Sequence, residues 1–291
     1  MSIEIVCVHQ GRNILGEGPI WNERDQSLYW TDIFEPAIYR YDVQREAVFR
    51  RQMPEPVGSL VFRGDNTIVA GTQSGFAFID FDQPSFRLIH PVKDSESGRL
   101  NDGKVDGKGR YWCGSINLDL KTPSAHLYCL DGELNVSIKE SGIIAANGIA
   151  FSPGNDVLYL SDSRRQVVWA YDFDLESGTI DGRREFVSTV GQPARVDGAT
   201  VDRFGNYWCA LIYDWHIACY SPAGEMLRRI RLPVQHPTMC TFGGRNLDVL
   251  FVTSGSRFLR PGDSERQPLA GALFAIHGLG PLGIVEPRFA A

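Results

Sequence analysis

A chain of 291 residues with 43% hydrophobic and 22% charged residues can bury a sizeable core, which argues against disorder over most of its length. Its formal net charge of −6, with no run of Lys and Arg, removes any general attraction to nucleic acid or anionic lipid. No stretch approaches the roughly 18 apolar residues that span a bilayer, and the opening "MSIEIVCVHQGRNILGEGPI" lacks the build of a secretory signal, so a cytoplasmic location without membrane or nucleic-acid partners is expected.

"NILGEGPIW", residues 13 to 21, comes first and sets Glu17 between two glycines ahead of Trp21. Then follow "LYWTD" (28 to 32), "TIVAGT" (67 to 72), "RYWCGS" (110 to 115), "VLYLSDS" (157 to 163), "NYWCAL" (206 to 211) and "VLFVTS" (249 to 254). Aligned on Tyr29, Val69, Tyr111, Tyr159, Tyr207 and Phe251 they recur every 40 to 48 residues, the period of a four-stranded propeller blade. After each comes an alternating segment, such as "AIYRYD" or "VVWAYDFD", that reads as the partner strand of a hairpin. Gly and Pro, 30 and 16 residues, are too frequent for long helices. The expected fold is all-β, a six-bladed β-propeller with a central channel, in one domain spanning 1–291. Six scattered cysteines, mostly within apolar runs, read as reduced core residues.

In a propeller the innermost strand of each blade runs along the channel, so residues at its start face a common axis. The segment before each apolar run reads "GEGPIW", "GSLVF", "NDGKVD", "NGIAF", "DGATVD" and "HPTMCTF", which sets Glu17, Asn101, Asn147 and Asp197 at comparable positions. Their register differs by one residue, which a bulge absorbs. Oxygen donors from separate blades, two of them carboxylates, suit a hard divalent cation. The alternative is a set of Asx turns at the blade starts.

Other signals lead nowhere. "DFDLESGTIDGR" (172 to 183) imitates a calcium loop but has Ser177 where glycine is needed and Arg183 at its last position, so it reads as a hairpin loop. The histidines show no zinc-protease spacing, His236 reads as a capping or core residue, and no "GxSxG" elbow is present. Asp106 and Asp202, in matching "VD" settings, read as turn-shaping residues.

"LGEGPIW", "GRLNDGKVDGKGRYWCGS", "NGIAFSPGNDVLYLSDS", "VDGATVDRFGNYWCAL" and "HPTMCTFGG", in this order, resemble the senescence marker protein 30, gluconolactonase and luciferin-regenerating enzyme family, also called the regucalcin family. The resemblance implies a sugar lactone as the small-molecule partner and one divalent metal cation (Ca, Zn, Mn, Mg or Fe) held by Glu17, Asn147 and Asp197. It further implies that Arg99 and Asn101 orient the substrate, and Asp197 is the expected catalytic base. Two departures stand out. Val196 replaces the family's proline before Asp197, an exchange expected to loosen that approach slightly, and "INLDLKTPSAH" after "CGS" does not match the family's lid. The leading expectation is metal-dependent hydrolysis of a glucono-, xylono-, galactono- or arabinonolactone to the aldonic acid. A calcium-binding regulatory protein and a propeller scaffold without chemistry are the other readings.

Overall fold

The computed structural model describes residues 2–83, 85–92 and 98–291. Six four-stranded antiparallel sheets stand around a channel as the blades of a propeller. Their innermost strands are Gly16–Asn22, Val57–Phe62, Gly98–Val105, Ala146–Phe151, Arg195–Val201 and Pro237–Gly243, numbered here as blades 1 to 6. Each contacts the innermost strands of its two neighbours, so the six form a closed ring. The aligned sequence runs form the second strands, and the alternating segments form the third. Among the described residues the only helix is Asp263–Arg266, and none is long and apolar enough to cross a membrane.

Blade 6 closes in a way the repeat alone did not indicate. Its outermost strand is Glu4–His9, which pairs antiparallel with Leu273–His277 and joins the first blade's leading segment to the last blade. All 24 strands are thereby taken into sheets.

Aromatic side chains fill the wedges between blades. In blade 3 Tyr111 faces back, its hydroxyl 2.7 Å from Ser59 Oγ of blade 2, while Trp112 faces forward onto Phe151 of blade 4. In blade 5 Tyr207 likewise reaches back, donating to the Gly148 carbonyl at 2.8 Å, and Trp208 packs forward on Phe242. Trp30, Trp112 and Trp208 are fully buried, so truncating any of them to alanine costs about 3–5 kcal/mol.

Asp106 and Asp202 shape turns, as their setting predicted. Asp202 Oδ1 accepts from the backbone N–H of Phe204 and Asn206, and its Oδ2 accepts from Trp208 Nε1 at 2.9 Å. Asp106 does the same for Lys108, Arg110 and Trp112. The six cysteines are free thiols, five of them buried. The 172 to 183 segment joins strands Val167–Asp174 and Thr179–Ser188 as a hairpin.

One end of the channel is stopped by the segment that follows Leu273–His277. The backbone N–H groups of Phe289 and Ala290 donate to the carbonyls of Phe62 and Gly109, and Arg288 bonds Asn22 Oδ1 and Glu23 Oε1. Glu286 reaches the axis and pairs with Lys104 Nζ at 2.6 Å, both side chains largely buried. The other end stays open, and there the polar starts of the innermost strands converge.

Candidate active site at the open end of the channel

All four innermost strands that carry expected site residues contain a one-residue bulge. It falls between Glu17 and Ile20, Leu100 and Gly103, Asn147 and Ala150, and Val196 and Ala199. Glu17 and Asn147 are the last paired residues before it, whereas Asn101 and Asp197 are the first residues within it. This difference accounts for the one-residue offset in the sequence alignment. Gly18 and Gly148, next after Glu17 and Asn147, have φ of 55° and 56°, a left-handed backbone that a side chain would strain.

The structure brings Glu17, Arg99, Asn101, Asn147 and Asp197 into the lining of one cavity of about 240 Å3. The amides are fixed by a continuous hydrogen-bond chain. Arg99 Nη1 donates to Asn101 Oδ1 at 2.5 Å, and Asn101 Nδ2 donates to Asn147 Oδ1 at 2.6 Å and to the Ala146 carbonyl at 2.8 Å. Asn147 Nδ2 donates to Ser163 Oγ at 2.9 Å, and Ser163 Oγ donates to the Val196 carbonyl at 2.6 Å. Because Ser163 has its one proton on that carbonyl, it can only accept from Asn147, and this sets which end of the Asn147 amide is oxygen. The Val196 carbonyl also accepts from Ser161 Oγ at 3.0 Å, so two hydroxyls anchor the backbone just before Asp197, where Val196 was expected to loosen the approach.

The carboxylates are under strain of charge. Burial, then Asp197 and Asp102, push the Glu17 carboxyl well above the usual range, against the Gly18 N–H and Arg99. Burial, then Asp102, raise Asp197 in the same direction, with Arg99 opposing. Among the described residues no donor hydrogen bonds to the Asp197 carboxylate. Burial lowers the Arg99 guanidinium to about 10, which leaves it cationic at neutral pH.

These residues fit a hard divalent cation. They offer two carboxylates and one amide oxygen, with no thiolate or imidazole, and a cation relieves the repulsion that raises both acids. Among the described residues no group of three or more His, Cys, Asp and Glu gathers as a metal cluster, at this cavity or elsewhere, so the set here depends on the amide oxygen as its third donor.

Several residues in and beneath the cavity were not foreseen. Asp102 lies beneath the acids, its Oδ2 accepting from the Ile149 N–H at 2.8 Å and its Oδ1 buried without a partner among the described residues. The Asp that closes "RLND" was its only signal. Ser163 was quoted within "LSDS" without a role. Ile116, Leu118 and Leu120, from the segment that departs from the family, line the mouth. His236 is buried beneath it, its ring against Tyr213 and Phe258 and its proton affinity lowered to about 4 by burial, which matches a core role.

Comparison with known proteins agrees with this arrangement of strands. The sequence model of the family described as "SMP-30/Gluconolactonase/LRE-like region" matches residues 15–256. The 6-deoxy-6-sulfogluconolactonase of Pseudomonas putida is 34% identical over 293 residues, covering 100% of both chains. Regucalcin of Danio rerio is 31% identical over 288 residues and 97% of each chain. Among solved structures, a luciferin-regenerating enzyme superposes with a TM-score of 0.91 at 27% identity, covering 100% of this chain and 99% of that one.

Proposed function

This chain belongs to the SMP-30/gluconolactonase/LRE-like family, and from that premise we propose that it is a lactonase that hydrolyses a sugar lactone to the aldonic acid with a divalent cation at Glu17, Asn147 and Asp197. The observation that carries the proposal is the convergence of two buried, mutually repelling carboxylates and one oriented amide oxygen on a single open cavity. A calcium-regulatory reading has less support, because two carboxylates are fewer than a high-affinity calcium loop collects.

When bound, the cation polarises the lactone carbonyl and stabilises the negative charge that develops on its oxygen. The chain's own residues do the rest. Arg99 holds a substrate oxygen from the buried side of the cavity by a charge-assisted hydrogen bond. Both amide hydrogens of Asn101 are engaged within the protein, so it reaches the substrate only through Oδ1 and mainly keeps the Asn147 oxygen turned inward. Asp197, free of donors, takes the proton from the attacking water at a carboxylate oxygen. As the ring C–O bond breaks, it returns that proton to the departing ring oxygen.

The test is a pH-indicator assay over glucono-, galactono-, xylono- and arabinonolactone after chelation and again after adding Ca, Zn, Mn, Mg or Fe singly. Metal-restored acid release above the spontaneous rate is the expected result. Acid release that is unaffected by chelation removes the metal from the proposal, and none with any lactone removes the activity.

A further inference from the structure

The mouth of the cavity carries a charge that a neutral sugar lactone does not need. Four guanidinium groups, those of Arg99, Arg164, Arg195 and Arg257, line it against two carboxylates, in a chain whose net charge is −6. Arg99 sits deep beside the acids and belongs to the chemistry already described. The other three stand on blades 4, 5 and 6, as one arc of the rim.

Among the described residues no carboxylate pairs with Arg164, Arg195 or Arg257, while nearby acids are committed elsewhere: Asp162 pairs with Arg165 and Asp214 with Arg229. Arg195 leads the innermost strand of blade 5, two residues before Asp197, and its Nη1 is buried with no hydrogen-bond acceptor. Its guanidinium lies 5.7 Å from the Tyr213 ring centroid. Arg164 donates through Nε to the Leu120 carbonyl at 3.1 Å, which leaves its terminal nitrogens uncommitted and steadies the side chain. Arg257 lies over Phe34, its guanidinium carbon 3.8 Å from the ring centroid. Stacking fixes the plane of a guanidinium and leaves its N–H edge free to meet an anion, the geometry of oxyanion recognition.

Burying a guanidinium nitrogen without an acceptor costs energy unless a ligand supplies the acceptor. Arg164 and Arg195 line the same cavity, and cationic side chains gathered on one rim repel unless a negative charge comes between them. Next to Arg164 the mouth turns apolar, with Ile116, Leu118 and Leu120 from blade 3. A ligand is thus offered carboxylates and Arg99 at depth, aliphatic surface on blade 3, and an arc of positive charge running on from it over blades 4 to 6.

We propose that the substrate of this site is an anionic lactone: an aldonolactone that carries a sulfonate, phosphate or carboxylate group on the carbons remote from the ring carbonyl, with that group held by Arg195, Arg164 and Arg257. This inference rests on the lactonase reading and names its substrate class. The arc also steers such a substrate toward a protein that is otherwise negatively charged.

The experiment compares kcat/KM for glucono-1,5-lactone with that for its 6-phospho and 6-deoxy-6-sulfo derivatives and for glucaro-1,4-lactone, on the metal-loaded protein, in low and high salt. In parallel, calorimetry compares gluconate with 6-phosphogluconate and 6-deoxy-6-sulfogluconate. The expected result is a preference of roughly 10-fold or more for one anionic lactone, equivalent to about 1.4 kcal/mol, that shrinks with salt. Which derivative leads tells the phosphate, sulfonate and carboxylate sources apart. Arg195→Gln and the exposed Arg257→Gln each collapse the ratio of anionic to neutral kcat/KM, a readout that a general loss of folded protein does not move. Equal use of neutral and anionic lactones, or an unchanged ratio in both variants, overturns the inference while the lactonase reading stands. Tighter binding of the anionic acids without turnover of any lactone instead sinks the lactonase reading and retains the arc as an anion site.

Discussion

Asn101 Nδ2 donates to Asn147 Oδ1 at 2.6 Å, one blade's amide holding the next blade's amide in place. The bond leaves the second lone pair of the Asn147 oxygen turned to the cavity, where a cation can use it. Asn101→Ala therefore weakens metal affinity by roughly 10-fold, the usual scale for a lost orienting partner, and lowers kcat/KM further because Arg99 loses its anchor as well. Metal titration by calorimetry beside initial rates checks this. Unchanged metal affinity would mean that Ser163 alone fixes the Asn147 amide.

Glu17→Gln and Asp197→Asn each remove one of two repelling carboxylates. The expected outcome is loss of metal binding and of most lactonase activity with an unchanged circular dichroism spectrum. Without metal, each variant melts at a higher temperature than the parent at pH 8, since one of the three buried, mutually repelling acids is gone and only Asp102 still opposes the one that remains. A lower melting temperature for both in chelator contradicts the assigned repulsion.

The same acids set a pH dependence. Glu17, Asp102 and Asp197 all bind protons more tightly in the folded chain than in the unfolded one, Asp102 being raised to about 6 by burial. Between the ordinary carboxylate range and these raised values the folded state carries more protons, so stability falls as pH rises through that window. Metal-free protein should lose melting temperature from pH 5 to pH 8, and a divalent cation should restore most at the upper end while releasing protons. A melting temperature in chelator that climbs over that interval reverses the predicted sign.

Asp202→Ala leaves the Trp208 indole N–H and the backbone N–H of Phe204 and Asn206 without their acceptor. The buried indole donor alone costs about 1–3 kcal/mol and the two half-buried backbone donors add to it, so the variant is destabilised by roughly 2 kcal/mol or more. Chemical denaturation reads the loss directly, and Asp106→Ala serves as its counterpart in blade 3. A loss under about 1 kcal/mol in both shows that water replaces the carboxylate.

At the stopped end of the channel, Glu286→Ala strands a buried Lys104 ammonium. Breaking a largely buried pair in this way costs about 3–5 kcal/mol. Lys104→Met with Glu286→Leu should recover much of it, as measured by denaturation midpoints. No recovery in the double variant assigns the loss to the fit of the tail instead.

The blade period, the strand order within blades and the convergence of Glu17, Asn101, Asn147 and Asp197 were legible because they repeat along the chain. The alignment on tyrosine hid one fact. Tyr29 and Tyr159 face the following blade, onto Phe62 and Tyr207, whereas Tyr111 and Tyr207 face back and their neighbouring tryptophans face forward. A one-residue slip reverses the face of every side chain in a strand, so motifs that look equivalent in sequence pack on opposite sides. The arginine arc was not legible for a different reason. Arg164, Arg195 and Arg257 come from three blades, one from a strand start and two from loops, without a shared motif, and only the ring brings them to one rim. Likewise nothing in "EIVCVH" announced a partner some 270 residues away.

That last pairing bears on the order of folding. Blades 1 to 5 are built from neighbouring hairpins and can form as soon as their own residues have been synthesised, whereas blade 6 must wait for Leu273–His277 before Glu4–His9 has anything to join. Contacts of such sequence separation carry a loop-closure cost and form late. Glu17 lies on the strand that abuts blade 6, and Asp197 on the strand that abuts it from the other side. Until the ring shuts, its circumference is not fixed and the two acids are not held at their final separation. Cation affinity during refolding should accordingly appear with the slowest phase, as the last property the chain acquires.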